Sequence, residues 1–88
     1  GKTAFEDMEL IIYPNPVKDH VGININSVEN TLGDFLIMDM IGKAMIRKTE
    51  MIRAGNNQID IHAANLSEGM YILNMTIGDK LISKKLVK

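Results

Sequence analysis

Apolar and polar residues along this chain alternate with a period of two rather than 3.6. Val21, Ile23 and Ile25 alternate with Gly22, Asn24 and Asn26, the pattern of a strand with one wet face. Tyr71, Leu73, Met75 and Ile77 alternate with Ile72, Asn74 and Thr76 after Gly69, less purely but in the same sense. Phe35, Leu36, Ile37 and Met38 form an unbroken apolar run, as expected of a central strand covered on both faces. Ile59 and Ile61 flank Asp60 in a shorter strand.

Turn-forming clusters separate these runs at Pro14 to Pro16, Lys18 to His20, Glu29 to Gly33, Asp39 to Lys43, Gly55 to Asn57, Ser67 to Gly69 and Gly78 to Asp79. Seven short strands are predicted: Glu9 to Tyr13, Val21 to Asn26, Asp34 to Asp39, Ala44 to Glu50, Gln58 to His62, Met70 to Ile77 and Lys80 to Val87. Short strands joined by Gly, Asn and Pro turns imply an all-β antiparallel sandwich or barrel, because two sheets can hide their apolar faces only against each other. No more than a turn is expected in Glu50 to Gly55 or Ala63 to Glu68. Residues 1–8 read as a linker and residues 9–88 as one domain.

Composition narrows the function classes. An 88-residue chain buries about 60–65% of its unfolded surface, which leaves room for a core but little for a deep catalytic cleft. Ten Lys and Arg against 11 Asp and Glu give a net charge of -1, which offers no electrostatic reason for a nucleic-acid or anionic-membrane partner. The absence of cysteine removes disulfides, thiolate nucleophiles and thiolate metal sites together. No apolar run approaches the length of a membrane span, and the first residues do not form a signal peptide. A start at Gly1 suggests excision from a longer protein or a cloning scar.

Candidate chemistry is sparse. His20 is expected in a turn beside Asp19 and His62 at a strand end, far apart in sequence, which reads as two solvated or hydrogen-bonded histidines rather than ligands or a general base. Asp34, Asp39, Asp60 and Asp79 lack the spacing of a calcium loop. No phosphate-binding, nucleophile-elbow, zinc-protease or dinucleotide motif occurs. No catalytic residue, cofactor, metal or small-molecule substrate is expected. The seven methionines read as adaptable core filler. The two sequons, Asn65-Leu66-Ser67 and Asn74-Met75-Thr76, read as coincidental.

Four motifs carry more information when taken in order. They are Tyr13-Pro14-Asn15-Pro16-Val17, then Asp39-Met40-Ile41-Gly42-Lys43, then Leu66-Ser67-Glu68-Gly69-Met70-Tyr71-Ile72-Leu73, and the closing Lys84-Lys85-Leu86-Val87-Lys88 after Gly78. From about Leu10 to Lys88 the chain resembles the C-terminal sorting domains of type IX (Por) secretion, in their commoner type A form. The resemblance implies an Ig-like β-sandwich carried at the end of proteins exported by Bacteroidetes-type bacteria. It further implies an upstream cargo that reaches the periplasm, an outer-membrane translocon that recognises the folded domain, and a sortase-like surface peptidase that removes it. The destination would be the cell surface or the medium. Cleavage would fall in residues 1–9 or just upstream.

Each motif also has a plain physical reading. Pro14 and Pro16 fix φ and lack an N–H, so they stiffen the lead-in and stop the first strand, and Asn15 before Pro16 is pushed towards extended backbone. Asp39 and Gly42, with Lys43 closing the turn, suit a hairpin in which Asp accepts local N–H groups and Gly takes a positive φ. Gly69 allows a tight approach to the strand that buries Tyr71, whose hydroxyl needs a partner. Lys84, Lys85 and Lys88 on an edge strand discourage aggregation, or, together with Leu86 and Val87, form a surface that the translocon grips by strand addition. The rival reading is a carbohydrate-binding or adhesive module. Sugar platforms are aromatic, and with no Trp present Tyr13 is its single candidate.

Overall fold

The computed structural model describes residues 9–14 and 16–88. The linker and Asn15 readings, and the cleavage region save for Glu9, lie outside the described residues. Seven strands form, β1 (Glu9–Tyr13), β2 (His20–Ser27), β3 (Thr31–Asp39), β4 (Ala44–Ile52), β5 (Gly55–His62), β6 (Met70–Ile77) and β7 (Lys80–Val87). They make two antiparallel sheets, one of three strands in the order β1-β2-β5 and one of four in the order β4-β3-β6-β7. The sheets stack as a β-sandwich. In immunoglobulin lettering they are ABE and DCFG, so the fourth strand sits beside the third instead of beside the fifth as in a constant-type domain.

All seven strands stand where the alternation places them, but β2 to β5 run longer than the hydropathy pattern indicates. Thr31 to Gly33 continue β3 because Thr31 pairs with Ile52 and Gly33 with Glu50. The expected turn at Gly55 to Asn57 is the start of β5 instead, and the chain crosses between sheets at Arg53 and Ala54. Side-chain amides hold that corner. Asn57 Oδ1 accepts from the Arg53 N–H at 2.9 Å, its Nδ2 donates to the Arg53 carbonyl at 2.7 Å, and Asn30 Oδ1 accepts from the Ala54 N–H at 2.8 Å. These local bonds to the backbone compensate for groups that no ladder serves.

The core is the space between the sheets. Val21, Ile23, Ile25, Ile59 and Ile61 from the small sheet meet Phe35, Ile37, Leu73, Met75, Ile82 and Leu86 from the large one. Each such side chain contributes about 1.5–3 kcal/mol by leaving water. Two expectations fail here. Leu36 and Met38 are only half-buried on the outer face of the large sheet, screened by cross-strand neighbours such as Ile72 and Arg47 rather than by another layer. Of the described methionines only Met75 is in the core, while Met40, Met45, Met51 and Met70 are exposed. Outward positions of a half-wet sheet accept a flexible apolar chain at little cost, so composition alone did not separate the two faces.

Tyr71 closes one end of the sandwich. Its ring is buried, and its hydroxyl donates to the Ser67 carbonyl four residues upstream at 2.7 Å. This is the tyrosine corner of immunoglobulin-like domains, placed at the start of the sixth strand. Replacing Tyr71 with Phe keeps the ring but orphans the carbonyl, so equilibrium urea unfolding should show a loss of about 1–2 kcal/mol.

Candidate functional site

A seven-stranded open sandwich leaves four strand edges. On one side β4 and β5 are joined by the crossing chain, and the inward-facing Lys48 of β4 reaches over to donate to the Asp60 carbonyl at 2.6 Å. On the other side β1 and β7 face each other as the outer strands of their sheets. Between them lies a cleft of about 250 Å³, with Leu10, Ile12, Pro14 and Val17 on one wall and Lys84, Lys85, Leu86 and Val87 on the other. The two walls are tied by a backbone bond from the Val17 N–H to the Val87 carbonyl at 2.8 Å.

The register decides which groups of β7 are free. Gly69 and Lys88 exchange both backbone bonds, at 3.0 and 2.8 Å, so they form a hydrogen-bonded pair at the end of the β6–β7 ladder. Such pairs alternate along an antiparallel ladder, so Leu86, Lys84 and Ile82 also point their backbone groups at β6. The N–H and C=O groups of Leu81, Ser83 and Lys85 therefore point outward, as do those of Val87. Among the described residues, only the Val87 carbonyl of this row is bonded to a neighbour. The row is a template for one more strand.

The five terminal positions divide by what their side chains touch. Leu86 is buried and belongs to the core. Lys88 donates its ammonium to the carbonyls of Ala63 at 2.6 Å and Ala64 at 3.1 Å, so it braces the turn before β6. Lys84 shares the inward parity of Ile82 and Leu86 but lies exposed at the mouth of the cleft. Lys85 and Val87 are exposed on the outer face of the large sheet, beside Ile72 and Met70 respectively. The alternation alone predicts the facing of these residues; the bracing role of Lys88 depends on a turn about 25 positions upstream and has no local signal.

The other motif residues sit apart from this edge. Asp39 and Lys43 close the β3–β4 hairpin, with Asp39 Oδ1 accepting from the Ile41 and Lys43 N–H groups at 3.1 and 2.9 Å and Gly42 at φ 90°. β1 ends at Tyr13, just before Pro14 and Pro16. The Tyr13 ring lies over Gly22 on the outer face of the small sheet, where any Cβ would come within 2.5 Å of it. Phe35 and Tyr71 are buried, so Tyr13 is the one exposed Phe, Tyr or Trp ring among the described residues. A single ring does not make the platform that a sugar-binding face requires. At the β6–β7 turn, a hydrogen bond and ion pair from Lys80 at 2.8 Å hold the Asp79 carboxyl below its usual range. This exposed pairing is present above the ordinary carboxylate range and lost as pH falls through the lowered value.

These assignments separate two kinds of lysine. Lys88→Ala should lower stability by about 1 kcal/mol, because two carbonyls lose an ammonium donor. Lys85→Ala should change it by less than about 0.5 kcal/mol. Thermal unfolding of the two variants checks the contrast.

No curated protein sequence matches this chain. A family model described as "Secretion system C-terminal sorting domain" matches residues 11–88, from within β1 through all of β7. By that description the family is one of C-terminal sorting signals for secretion. With the match running from within β1 to the end of the chain and taking in the four ordered motifs, the chain belongs to the C-terminal sorting domains of type IX secretion.

Proposed function

We propose that residues 9–88 act as a folded address, read by an outer-membrane translocon that adds a strand to the free edge of β7. The observation that carries this reading is the row of outward backbone groups at Leu81, Ser83 and Lys85, bordered by the cleft against β1, whose walls mix aliphatic side chains with Lys84 and Lys85. Main-chain pairing supplies affinity in such docking, and side chains on alternate faces supply selectivity. Lys84 at the cleft mouth and Lys85 on the outer face are the charges a partner strand would meet. Leu86 and Lys88 act from behind, by holding β7 in place. The cargo lies upstream in the same chain, travels by way of the periplasm, and is freed when a sortase-like peptidase cuts ahead of β1. No step involves a bond made or broken by this domain.

Fused to an inert periplasmic reporter in a host with type IX machinery, residues 9–88 should carry the reporter to the surface or medium. Retention in the periplasm overturns the reading. Removing residues 84–88 would also unseat Leu86 and the Val17–Val87 bond, so a subtler variant separates recognition from folding. Lys85→Pro deletes an N–H that points away from β6, a position where an edge strand accepts proline. Export should fall at least tenfold while the unfolding temperature shifts little, and Lys85→Ala, which keeps the N–H and loses only the charge, should lower export far less. Normal export of the proline variant would exclude strand addition at this edge.

A further inference from the structure

On the opposite sheet the fold assembles a group that the sequence keeps about 40 positions apart. His20 on β2 and His62 on β5, expected from the sequence to be solvated or hydrogen-bonded side chains rather than ligands, are direct register partners. The neighbouring bond from the Ala63 N–H to the Asp19 carbonyl, 2.7 Å, marks the Asp19–Ala63 position as hydrogen-bonded. His20 and His62 are then a non-hydrogen-bonded pair, the kind whose side chains stand closest. Their rings lie 4.4 Å apart between centroids. Asp60, two positions before His62 on the same face, places Oδ2 at 3.0 Å from His20 Nδ1. One potential ligand atom from each residue falls within 4.8 Å of the others.

The geometry points to a surface site for one divalent transition-metal ion, with His20, His62 and Asp60 as ligands and water completing the coordination. Around a tetrahedral Zn²⁺ with bonds of about 2.0–2.2 Å, ligand atoms lie roughly 3.4 Å from one another. Small rotations of exposed side chains cover the difference, and the His20–Asp60 hydrogen bond gives way to two metal bonds. The backbone beneath is fixed. β2 is the central strand of its sheet, and the Asp60 carbonyl is held by Lys48, whose ammonium is partly offset by Glu50 at 3.5 Å. Two imidazoles with one carboxylate suit Zn²⁺, Ni²⁺ or Cu²⁺. Ca²⁺ and Mg²⁺ need more oxygen ligands than one carboxylate supplies. The bound ion would staple β5 to β2.

Titrating the intact 88-residue chain with ZnCl2 in a calorimeter should give saturable binding at one ion per chain. The unfolding temperature should rise by about 5 °C or more at saturation and return on adding EDTA. The chain contains two histidines, and the imidazole NMR signals of both should shift together at one equivalent. His20→Ala, His62→Ala and Asp60→Asn should each weaken binding about tenfold or more, while CaCl2 and MgCl2 should not compete. Failure to saturate by 1 mM Zn²⁺, a shift at only one histidine, or unchanged binding in the histidine variants would overturn the site. Saturation at half an ion per chain with dimer formation would also overturn it, in favour of bridging between copies. The NMR test on the wild-type chain stands even where a variant fails to fold. The result bears on the small sheet alone, so it leaves the reading of the β7 edge untouched.

Discussion

The structure depends on one constraint: seven strands must bury a single apolar layer between two sheets too small to close on themselves. Val21, Ile23 and Ile25 on one side and Phe35, Ile37 and Leu73 on the other are fully buried, which fixes which face of each strand turns inward. A one-residue slip would expose that whole set. With facing fixed, unpaired edges are unavoidable, and the two sides manage them differently. The β4/β5 side is crossed by the chain and bridged by Lys48. The β1/β7 side is joined at one end through Val17 and Val87 and stays open along the rest.

That asymmetry connects packing to the sorting role. The strand that supplies the free edge also contributes Ile82 and Leu86 to the core and, just beyond its end, Lys88 to the turn at Ala63. Its inner half holds the domain together while its outer row of backbone groups faces solvent. If β7 is read as proposed, mutations along it mix stability with recognition unless they are chosen by the direction of the backbone groups.

Much of this was legible in the sequence, for identifiable reasons. Period-two alternation in β2 and β6 is a direct imprint of one buried face, so those strands and their inward residues could be read off. Asp39 and Gly42 marked a hairpin because turn chemistry is local. Less legible were features set by partners distant along the chain. Thr31 to Gly33 looked like a turn until paired with Glu50 to Ile52, and Leu36 and Met38 looked internal because no local signal separates an apolar residue under a second layer from one merely shaded by neighbours. His20 and His62 became adjacent only through the register of β2 with β5. At the candidate edge, the lysines were visible as charges, but their division into a brace and two exposed groups was not.

The bond between Val17 and Val87 joins positions about 70 residues apart, and such a closure carries an entropic cost of a few kcal/mol that contacts elsewhere in the sandwich must offset. It therefore depends on both sheets having assembled, since β1 pairs within one and β7 within the other. Until then β1 and β7 have no fixed mutual position, and the groove between them does not exist as a shape. A receptor that grips this groove would engage finished domains and pass over half-folded ones, which would make the address a certificate of folding as well as a destination.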